Sequence, residues 1–419
     1  MTDTLHAAAA DAWRAIAGDS HVRRAGPDDA IRGVTPHWIV EPADAAGVAA
    51  VLKAARDQGR AVIPRGGGTK RDWSNRPRRA DVVVSTARLQ RTVEHAWADL
   101  TVTVDAGCTI RALQDALRVH GQRVAADPLW PDTATVGGVL SANDTGALRL
   151  RFGGWRDLVI GTTLALADGT LARSGGKVVK NVAGYDLSKL ATGAFGTLGI
   201  ITTAIFRLHP LPRVARTLSA RIAGMDEGQN VLATIQDSKL AHTSVQVRVS
   251  DAGHAELDIL LEGTQGGVDA QLRDLRTINP RVVFGEADEG VWTARENLWT
   301  DAAGPILKVS VPLTAFSTLI RIVNDLASTA QTSWSAVLHA TGLAWIRFDT
   351  PQRWPELVDG VRQMAGRHDG SAVILRPASH DDGVDAWGDP GDALALMRAV
   401  KQQFDPNGTL NPGRFVGGI

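Results

Sequence analysis

The residue types that are scarce in this chain exclude several classes of function. Its 419 residues include a single cysteine, Cys108. One cysteine excludes an intrachain disulfide, an all-cysteine iron–sulfur cluster and a cysteine-rich zinc site within this chain. Proteins without disulfides are typical of the reducing cytoplasm, and we expect a cytoplasmic protein.

An excess of one charge is also missing. The 45 Lys and Arg residues balance the 45 Asp and Glu residues, so no overall positive field attracts nucleic acid or anionic lipid. No stretch approaches the roughly 18 uninterrupted apolar residues of a membrane-spanning helix. The N-terminus lacks the basic start and apolar block of a secretion signal. We expect no nucleic-acid partner, and contact with the inner face of the cell membrane only through partner proteins.

What is present is typical of a folded protein with several domains. The sequence is 44% hydrophobic and 21% charged, and at roughly 150 residues per domain its length predicts two or three folding units. Pro210 and Pro212 mark a boundary. The pattern of elements predicts a helical appendage at 1–35, a glycine-rich α+β domain at 36–212, an α+β domain with an antiparallel sheet at 213–390, and a segment at 391–419 that packs back on the first domain.

Within the first of these domains, the stretch from Ala126 to Gly154 is dense in Gly, Pro, Asp and Thr. Its hydrophobic periodicity is too weak for a regular helix or strand. We predict a long functional loop there.

A run of glycines follows a short apolar strand. Gly66, Gly67 and Gly68 come directly after the strand that ends near Ile63, and Thr69 and Lys70 follow them. Successive backbone N–H groups without side chains can turn inward and form a nest for anionic oxygens. The alternative is a flexible surface turn. Neither the dinucleotide fingerprint nor the P-loop spacing is met, and we favour a phosphate-binding loop of another type.

Four motifs in a fixed order resemble a known family. They are IPRGGGTK at 63–70, PLWPDTATVGGVLSANDTG at 128–146, KNVAGYDLSKLATGAFGTLGIIT at 180–202 and DPNGTLNPG at 405–413. This order is similar to that of the FAD-binding flavoproteins of the vanillyl-alcohol oxidase and p-cresol methylhydroxylase (PCMH) type, and most similar to the FAD-binding E subunits of bacterial glycolate oxidases. The resemblance implies an α+β fold: a PCMH-type FAD-binding domain of two α+β subdomains, and an α+β cap domain on the substrate side with an antiparallel sheet.

The resemblance also implies which residues bind the cofactor. The pyrophosphate would lie against Arg65, Gly66, Gly67, Gly68, Thr69 and Lys70. The ribityl and adenine side would be lined by Pro131, Thr135, Val136, Gly137, Gly138, Ala142, Asn143 and Gly146. Gly196, Gly199, Ile200 and Ile201 would lie along the flavin or adenosine, and Asn411 would reach the isoalloxazine. Related proteins attach flavin covalently through a His or Cys in these loops, and neither stands there in this chain. We expect non-covalent FAD.

The catalytic half of the family pattern is incomplete in this chain. Members that oxidise D-2-hydroxy acids hold a divalent metal through a His-x-x-x-x-x-x-His stretch and a later Glu-His pair. Here His339 is present, Ile346 stands at the partner position, and no Glu-His pair follows near Arg376. We therefore expect no metal. Lys180, Arg376 and His339 are weak catalytic candidates, since a cation beside the flavin stabilises its reduced, anionic form; a surface salt bridge is the alternative for each lysine or arginine.

The resemblance implies an FAD-dependent oxidoreductase that takes part in oxidising glycolate to glyoxylate and passes electrons to a respiratory acceptor. Its partners would be a related catalytic flavoprotein subunit and an iron–sulfur subunit, and its substrate a small 2-hydroxy acid. Two alternatives stay open. One is a stand-alone FAD-dependent D-2-hydroxy acid dehydrogenase of the D-lactate type, and the other is a non-catalytic assembly subunit.

Overall fold

The chain divides into two units, each assembled from separated segments. The computed structural model describes residues 2–177, 185–251, 253, 255–278, 281–300, 304–350, 352–378 and 383–419. The first unit comprises Met1–Thr145, Gly154–Leu211 and Asp389–Ile419, and the second comprises Gly146–Gly153 and Pro212–Gly388.

The described residues form helices and strands that alternate along the chain. The helices are α1 (Thr2–Ala17), α2 (Ala45–Asp57), α3 (Ile110–Arg118), α4 (Val136–Ala142), α5 (Arg149–Phe152), α6 (Trp155–Leu158), α7 (Leu187–Ala191), α8 (Met225–Asp237), α9 (Gln265–Ile278), α10 (Ala294–Asn297), α11 (Phe316–Ala330), α12 (Trp354–Gly366) and α13 (Leu394–Phe404). The strands are β1 (Val22–Arg24), β2 (Trp38–Val40), β3 (Val62–Arg65), β4 (Val82–Ser85), β5 (Thr92–Ala96), β6 (Thr101–Asp105), β7 (Gln122–Arg123), β8 (Val159–Ala165), β9 (Leu171–Gly175), β10 (Ile200–Arg207), β11 (His209–Pro210), β12 (Val214–Ile222), β13 (Ser244–Ser250), β14 (Ala255–Gly263), β15 (Gly285–Glu286), β16 (Ile306–Ser310), β17 (Trp334–His339), β18 (Leu343–Phe348) and β19 (Ser371–Arg376).

The first unit contains two main sheets. One has the order β1-β2-β4-β3, in which β4 runs parallel to both β2 and β3. The other is antiparallel with the order β5-β6-β10-β8-β9. A short antiparallel pair of β7 and β11 completes the described strands of this unit. The glycine run predicted to bind phosphate follows β3, at the edge of the parallel part.

Helix α2 shows how sequence and packing agree in this unit. Its N-cap is Asp44, whose carboxylate accepts a hydrogen bond of 2.8 Å from the Gly47 N–H, and such a cap satisfies a backbone donor that the helix leaves free. Val48, Val51, Leu52 and Ala55 recur at helical spacing and are buried, as expected for the apolar face of an amphipathic helix. Trp13 of α1 is buried in the same cluster of side chains.

The second unit is built on one eight-stranded sheet with the order β15-β12-β14-β13-β17-β18-β16-β19, and every pairing is antiparallel. Alternate residues such as Val245, Val247 and Ile259 lie in its core with α8, α11 and α12. Because side chains alternate between the two faces of a strand, Gln246 and Asp258 lie on the opposite face and share a hydrogen bond of 2.9 Å.

The predicted fold class is confirmed, including the antiparallel sheet of the C-terminal half. The prediction of one long loop from Ala126 to Gly154 is wrong in part, because α4 and α5 form inside it. Helix α4 ends at Asn143, which adopts the left-handed conformation with φ of 48° and so stops the helix after less than two full turns. Among the residues described above, no helix is long and apolar enough to cross a membrane.

Candidate cofactor site

The glycine run after β3 forms one wall of a cavity. A Cβ atom at Gly66 would lie 2.0 Å from Thr135 Oγ1, and one at Gly67 would lie 1.8 Å from the Thr133 carbonyl oxygen. Both distances are far below any van der Waals contact, so only glycine permits this close approach of the two backbone segments. This close packing therefore supports the interpretation of the glycine run as a phosphate-binding loop rather than as a flexible surface turn.

The cavity is formed by elements that are distant in sequence. It encloses about 910 Å³ of non-protein space, including its open mouth. The strand ends, the start of α4, the turn before β10 and the C-terminal tail contribute its walls. The lining residues are Asp29, Ile31, Ile63, Pro64, Arg65, Gly66, Gly67, Gly68, Thr69, Lys70, Arg71, Val83, Thr86, Thr135, Gly137, Gly138, Ser141, Ala142, Phe195, Gly196, Gly199, Ile200, Ile201, Asn411 and Arg414.

The charges around the cavity favour an anion. Four lining side chains are basic, and Asp29 is the one acidic side chain among the described lining residues. Arg414 donates hydrogen bonds of 2.6 and 2.7 Å to the carbonyl oxygens of Arg71 and Trp73. Burial lowers the pKa of Arg414 to about 10, so the guanidinium keeps its charge at neutral pH. Lys70 lies 3.2 Å from Asp144 and against the rings of Trp73 and Trp130.

Two buried polar atoms in the cavity wall fit a polar ligand. Thr135 Oγ1 and Asn411 Oδ1 have no hydrogen-bond partner among the described residues, and a buried polar atom without a partner is costly. Asn411 is held in the left-handed conformation, with φ of 50°, and its Nδ2 donates to the Phe195 carbonyl oxygen. A dinucleotide with ribityl hydroxyls, a pyrophosphate and ring carbonyls offers groups that match these atoms, the glycine amides and the basic side chains. The residues present therefore fit FAD.

Most of the residues predicted to bind the cofactor line this cavity. The exceptions are Pro131, Val136, Asn143 and Gly146. Val136 is fully buried in the core, the Pro131 carbonyl oxygen accepts a hydrogen bond from the Arg111 N–H, Asn143 ends α4, and Gly146 belongs to the second unit.

Sequence reasoning missed several lining residues, of which Asp29, Arg71 and Arg414 carry charge. Asp29 precedes every motif that the resemblance rests on. Arg414 directly follows the tail motif at 405–413, and that adjacency is a signal that could have found it.

His339, in the second unit, is buried beside a cation. Its side chain is 2% exposed, its ring centroid lies 4.7 Å from that of Trp345, and the Arg295 guanidinium lies 5.0 Å from the Trp345 ring. Burial, and secondarily the charge of Arg295, lowers the pKa of His339 to about 3. The imidazole is therefore neutral at physiological pH, and the neighbouring guanidinium disfavours a second cation there. Ile346 is buried in the apolar core of the same unit.

The other catalytic candidates lie in different settings. The Arg376 guanidinium donates hydrogen bonds of 3.2 to 3.3 Å to the carbonyl oxygens of Gly304 and Trp299, and burial lowers the pKa of Arg376. Arg376 thereby links two backbone segments that precede β16. Lys180 lies outside the described residues. In the described part of the chain, no group of three or more His, Cys, Asp or Glu side chains could hold a metal ion.

Comparison with known families agrees with this geometry. Residues 36–175 match the family described as the FAD binding domain, and residues 386–415 match the family described as FAD linked oxidases, C-terminal domain. These two stretches contain the glycine run, the start of α4 and Asn411. The prediction of FAD as the cofactor is confirmed.

Two glycolate oxidase subunits are similar to this chain over most of its length. Glycolate oxidase subunit GlcD of Bacillus subtilis (strain 168) is 26% identical over 428 residues, which cover 91% of this chain and 89% of that protein. Glycolate oxidase subunit GlcE of Escherichia coli (strain K12) is 28% identical over 324 residues, which cover 77% of this chain and 84% of that protein.

A solved structure shares the fold. The crystal structure of p-cresol methylhydroxylase with substrate bound matches 98% of this chain and 96% of that chain with a TM-score of 0.79, at 16% sequence identity. The resemblance stated from the four motifs is thereby confirmed. The chain is an FAD-linked oxidoreductase, and it shares the fold of the flavoproteins of the vanillyl-alcohol oxidase and p-cresol methylhydroxylase type.

Proposed function

We propose that the chain is the FAD-binding, electron-transferring subunit of a glycolate oxidase complex. In this role it takes part in the oxidation of glycolate to glyoxylate and works with a related catalytic flavoprotein subunit, an iron–sulfur subunit and a respiratory electron acceptor. The relatives named GlcD and GlcE are subunits of glycolate oxidase, and they support a 2-hydroxy acid as the substrate class.

The setting of His339 favours a partner-dependent role over independent turnover. Oxidation of an α-hydroxy acid needs a base that takes the hydroxyl proton, and such a base works best with a pKa near the working pH. Burial and Arg295 lower the pKa of His339 to about 3, which makes it a weak base at neutral pH. The Arg376 guanidinium, the other catalytic candidate among the described residues, already donates hydrogen bonds to backbone carbonyl oxygens.

We further propose how the first unit binds its cofactor. The flavin supplies the redox chemistry when bound, and the protein supplies binding and orientation. Arg65 and the backbone N–H groups of Gly66, Gly67 and Gly68 hold the pyrophosphate, Thr135 Oγ1 bonds a polar group of the cofactor, and Asn411 Oδ1 accepts a hydrogen bond from it. This assignment gives a partner to both Thr135 Oγ1 and Asn411 Oδ1.

The test is the visible absorption spectrum of the chain purified alone, recorded anaerobically before and after glycolate or D-lactate is added. We expect an oxidised flavin spectrum that neither acid bleaches. Dithionite then bleaches it and serves as the control that the flavin is reducible. When the chain is co-expressed with the related flavoprotein and iron–sulfur subunits, glycolate bleaches the flavin of the complex.

Two other outcomes overturn the proposal. Bleaching of the isolated chain by either acid identifies a stand-alone D-2-hydroxy acid dehydrogenase and contradicts the argument from His339. If this chain's flavin stays oxidised while the complex turns over glycolate, the chain is an assembly subunit and carries no electrons.

A further inference from the structure

The segment before the matched FAD binding domain reaches the cofactor cavity. The match to that domain begins at residue 36, yet Asp29 and Ile31 line the cavity. Asp29 is 8% exposed, which is unusual for a carboxylate unless it is paired. Its environment therefore indicates a specific role for this segment.

Asp29 is held by four hydrogen bonds. Arg23 binds it in a bidentate fork, with Nη1 2.7 Å from Oδ2 and Nη2 2.8 Å from Oδ1. The Gly26 N–H donates to Oδ2 over 3.0 Å. The remaining bond runs from Arg65 Nη1 to Oδ1 over 2.8 Å. Since both oxygens are already used by the protein, the Asp29 carboxylate serves Arg65 rather than a ligand.

The three side chains together keep a positive charge. Two guanidinium groups share one carboxylate, so the Arg23–Asp29–Arg65 cluster has a net charge of +1. The hydrogen bonds from Arg23 and Arg65 hold the pKa of Asp29 well below its usual range, and the carboxylate stays ionised throughout the neutral range. Arg65 follows Pro64 at the end of β3, directly before the glycine run, and it lines the cavity.

An arginine without a partner samples many rotamers, and fixing it costs conformational entropy when a ligand binds. A carboxylate that holds one Nη leaves the other donors of the planar guanidinium oriented for an anion. We propose that Asp29, in the segment before the FAD binding domain, is a positioning residue that fixes the Arg65 guanidinium for the cofactor pyrophosphate. The proposal rests on FAD binding and on the assignment of Arg65 to the pyrophosphate, and it is independent of the substrate.

The test exploits the sign of the charge change. Asp29→Asn removes a negative charge from the cavity wall, so an effect of charge alone would tighten FAD binding. A positioning role predicts the opposite, because Arg65 loses its fixed orientation. We expect Asp29→Asn to raise the Kd of the apoprotein for FAD by about 10- to 100-fold, the usual worth of a hydrogen bond to a charged group. The Kd is measured by titration of flavin fluorescence.

The neighbouring Asp28 offers a matched control. Its side chain is exposed and does not line the cavity, so Asp28→Asn makes the same charge change one residue away. We expect it to leave the Kd for FAD within about twofold of the original value. Arg23→Lys keeps the charge but loses the bidentate fork, and it should weaken FAD binding less than Asp29→Asn. It also tests the proposal if Asp29→Asn does not fold.

A double-mutant cycle separates positioning from a general structural effect. If Asp29 acts through Arg65, then Asp29→Asn has no further effect on the Kd in an Arg65→Met background. Tighter or unchanged FAD binding by Asp29→Asn, or additive effects in the cycle, would overturn the proposal. Because the readout is FAD affinity, a failure here is distinct from a failure of glycolate to bleach the flavin.

Discussion

At single glycines of the cavity wall, even an added methyl group is expected to weaken FAD binding. Gly67 packs against the Thr133 carbonyl oxygen, where an added Cβ would lie at 1.8 Å. Backbone atoms cannot move aside as a flexible side chain can, so Gly67→Ala must displace either the glycine run or the segment before α4. We expect FAD affinity to fall at least about tenfold and the free energy of unfolding to fall by about 1–3 kcal/mol. Fluorescence titration and urea denaturation measure the two effects.

Gly266 provides the control for this substitution. It lies in α9, and a Cβ there would meet nothing within 4 Å. Gly266→Ala adds the same methyl group to a helix of the second unit. Its expected effect is unchanged FAD affinity and a gain in the free energy of unfolding of up to about 1 kcal/mol. Equal losses of affinity in both variants would contradict the geometric argument.

The residues of the site divide into those a sequence pattern can reveal and those it cannot. Gly66, Gly67 and Gly68 follow a strand, and local chemistry alone predicts that they bind phosphate. Asp29 could not be identified in this way, because its partner Arg65 lies 36 residues away and no spacing rule connects them. Its role becomes visible only when β1 and β3 are brought into the same sheet.

At the scale of elements, α4 shows where composition misleads. Its sequence includes Gly137 and Gly138, which are poor helix formers, and this favoured a loop. In the structure a Cβ at Gly137 would lie 2.9 Å from the Ala106 Cβ. The helix packs so closely on the end of β6 that glycine is required there. Tertiary packing therefore overrides helix propensity, and the sequence of α4 alone does not reveal that packing.

One lysine of α13 makes several of the hydrogen bonds that hold the C-terminal tail in the first unit. Lys401 Nζ donates hydrogen bonds of 2.8 Å to the Thr197 carbonyl oxygen, 2.6 Å to Asp405 Oδ2 and 2.9 Å to the Leu410 carbonyl oxygen. Asp405 in turn accepts from the N–H groups of Thr409 and Leu410. These bonds hold the segment that leads to Asn411, which lines the cofactor cavity and itself donates to the Val62 and Phe195 carbonyl oxygens.

Replacing Lys401 tests this anchor. Lys401→Met keeps most of the side-chain volume but leaves Asp405, which is 1% exposed, without its cation. Breaking a buried ion pair in this way costs about 3–5 kcal/mol of unfolding free energy. We expect a loss of that order in urea denaturation and weaker binding of FAD, because the segment that leads to Asn411 loses three of its hydrogen bonds.

The exposed pair of Lys53 and Asp57 on α2 supplies the comparison. Its Nζ–Oδ2 distance is 2.8 Å, and both side chains are about half exposed. Exposed pairs at this helical spacing contribute about 0.3–0.5 kcal/mol, so Lys53→Met should change stability little and leave FAD binding intact. A similar loss in both variants would show that Lys401 acts through its charge alone and not as an anchor.

At the scale of the whole molecule, the architecture was the most predictable feature. Strands that alternate between apolar and polar residues, such as β13 and β14, reveal a half-buried sheet without any homologous structure. The starts of α2 and α7 likewise follow from the capping residues Asp44 and Asp186. The assembly of one unit from three separated segments depends on contacts between residues far apart in sequence, and local patterns do not report them.

The side chains around the cavity and the single cysteine of the chain also determine whether FAD is bound covalently. A covalent link to flavin needs an accessible nucleophile, and no His, Cys or Tyr is among the described residues that line the cavity. Cys108 is 3% exposed, and burial raises the pKa of its thiol, which keeps it in the unreactive protonated form. We therefore expect the chain to release all of its flavin when it is denatured.

Acid precipitation measures this directly. The flavin should remain in the supernatant as FAD, and the protein should show no flavin fluorescence in a denaturing gel, with a sample of free FAD treated in parallel as the control. Cys108→Ser should behave identically, since the thiol has no part in retention. A fluorescent band that migrates with the protein would contradict non-covalent binding. Its loss in Cys108→Ser would then identify the thiol as the point of attachment.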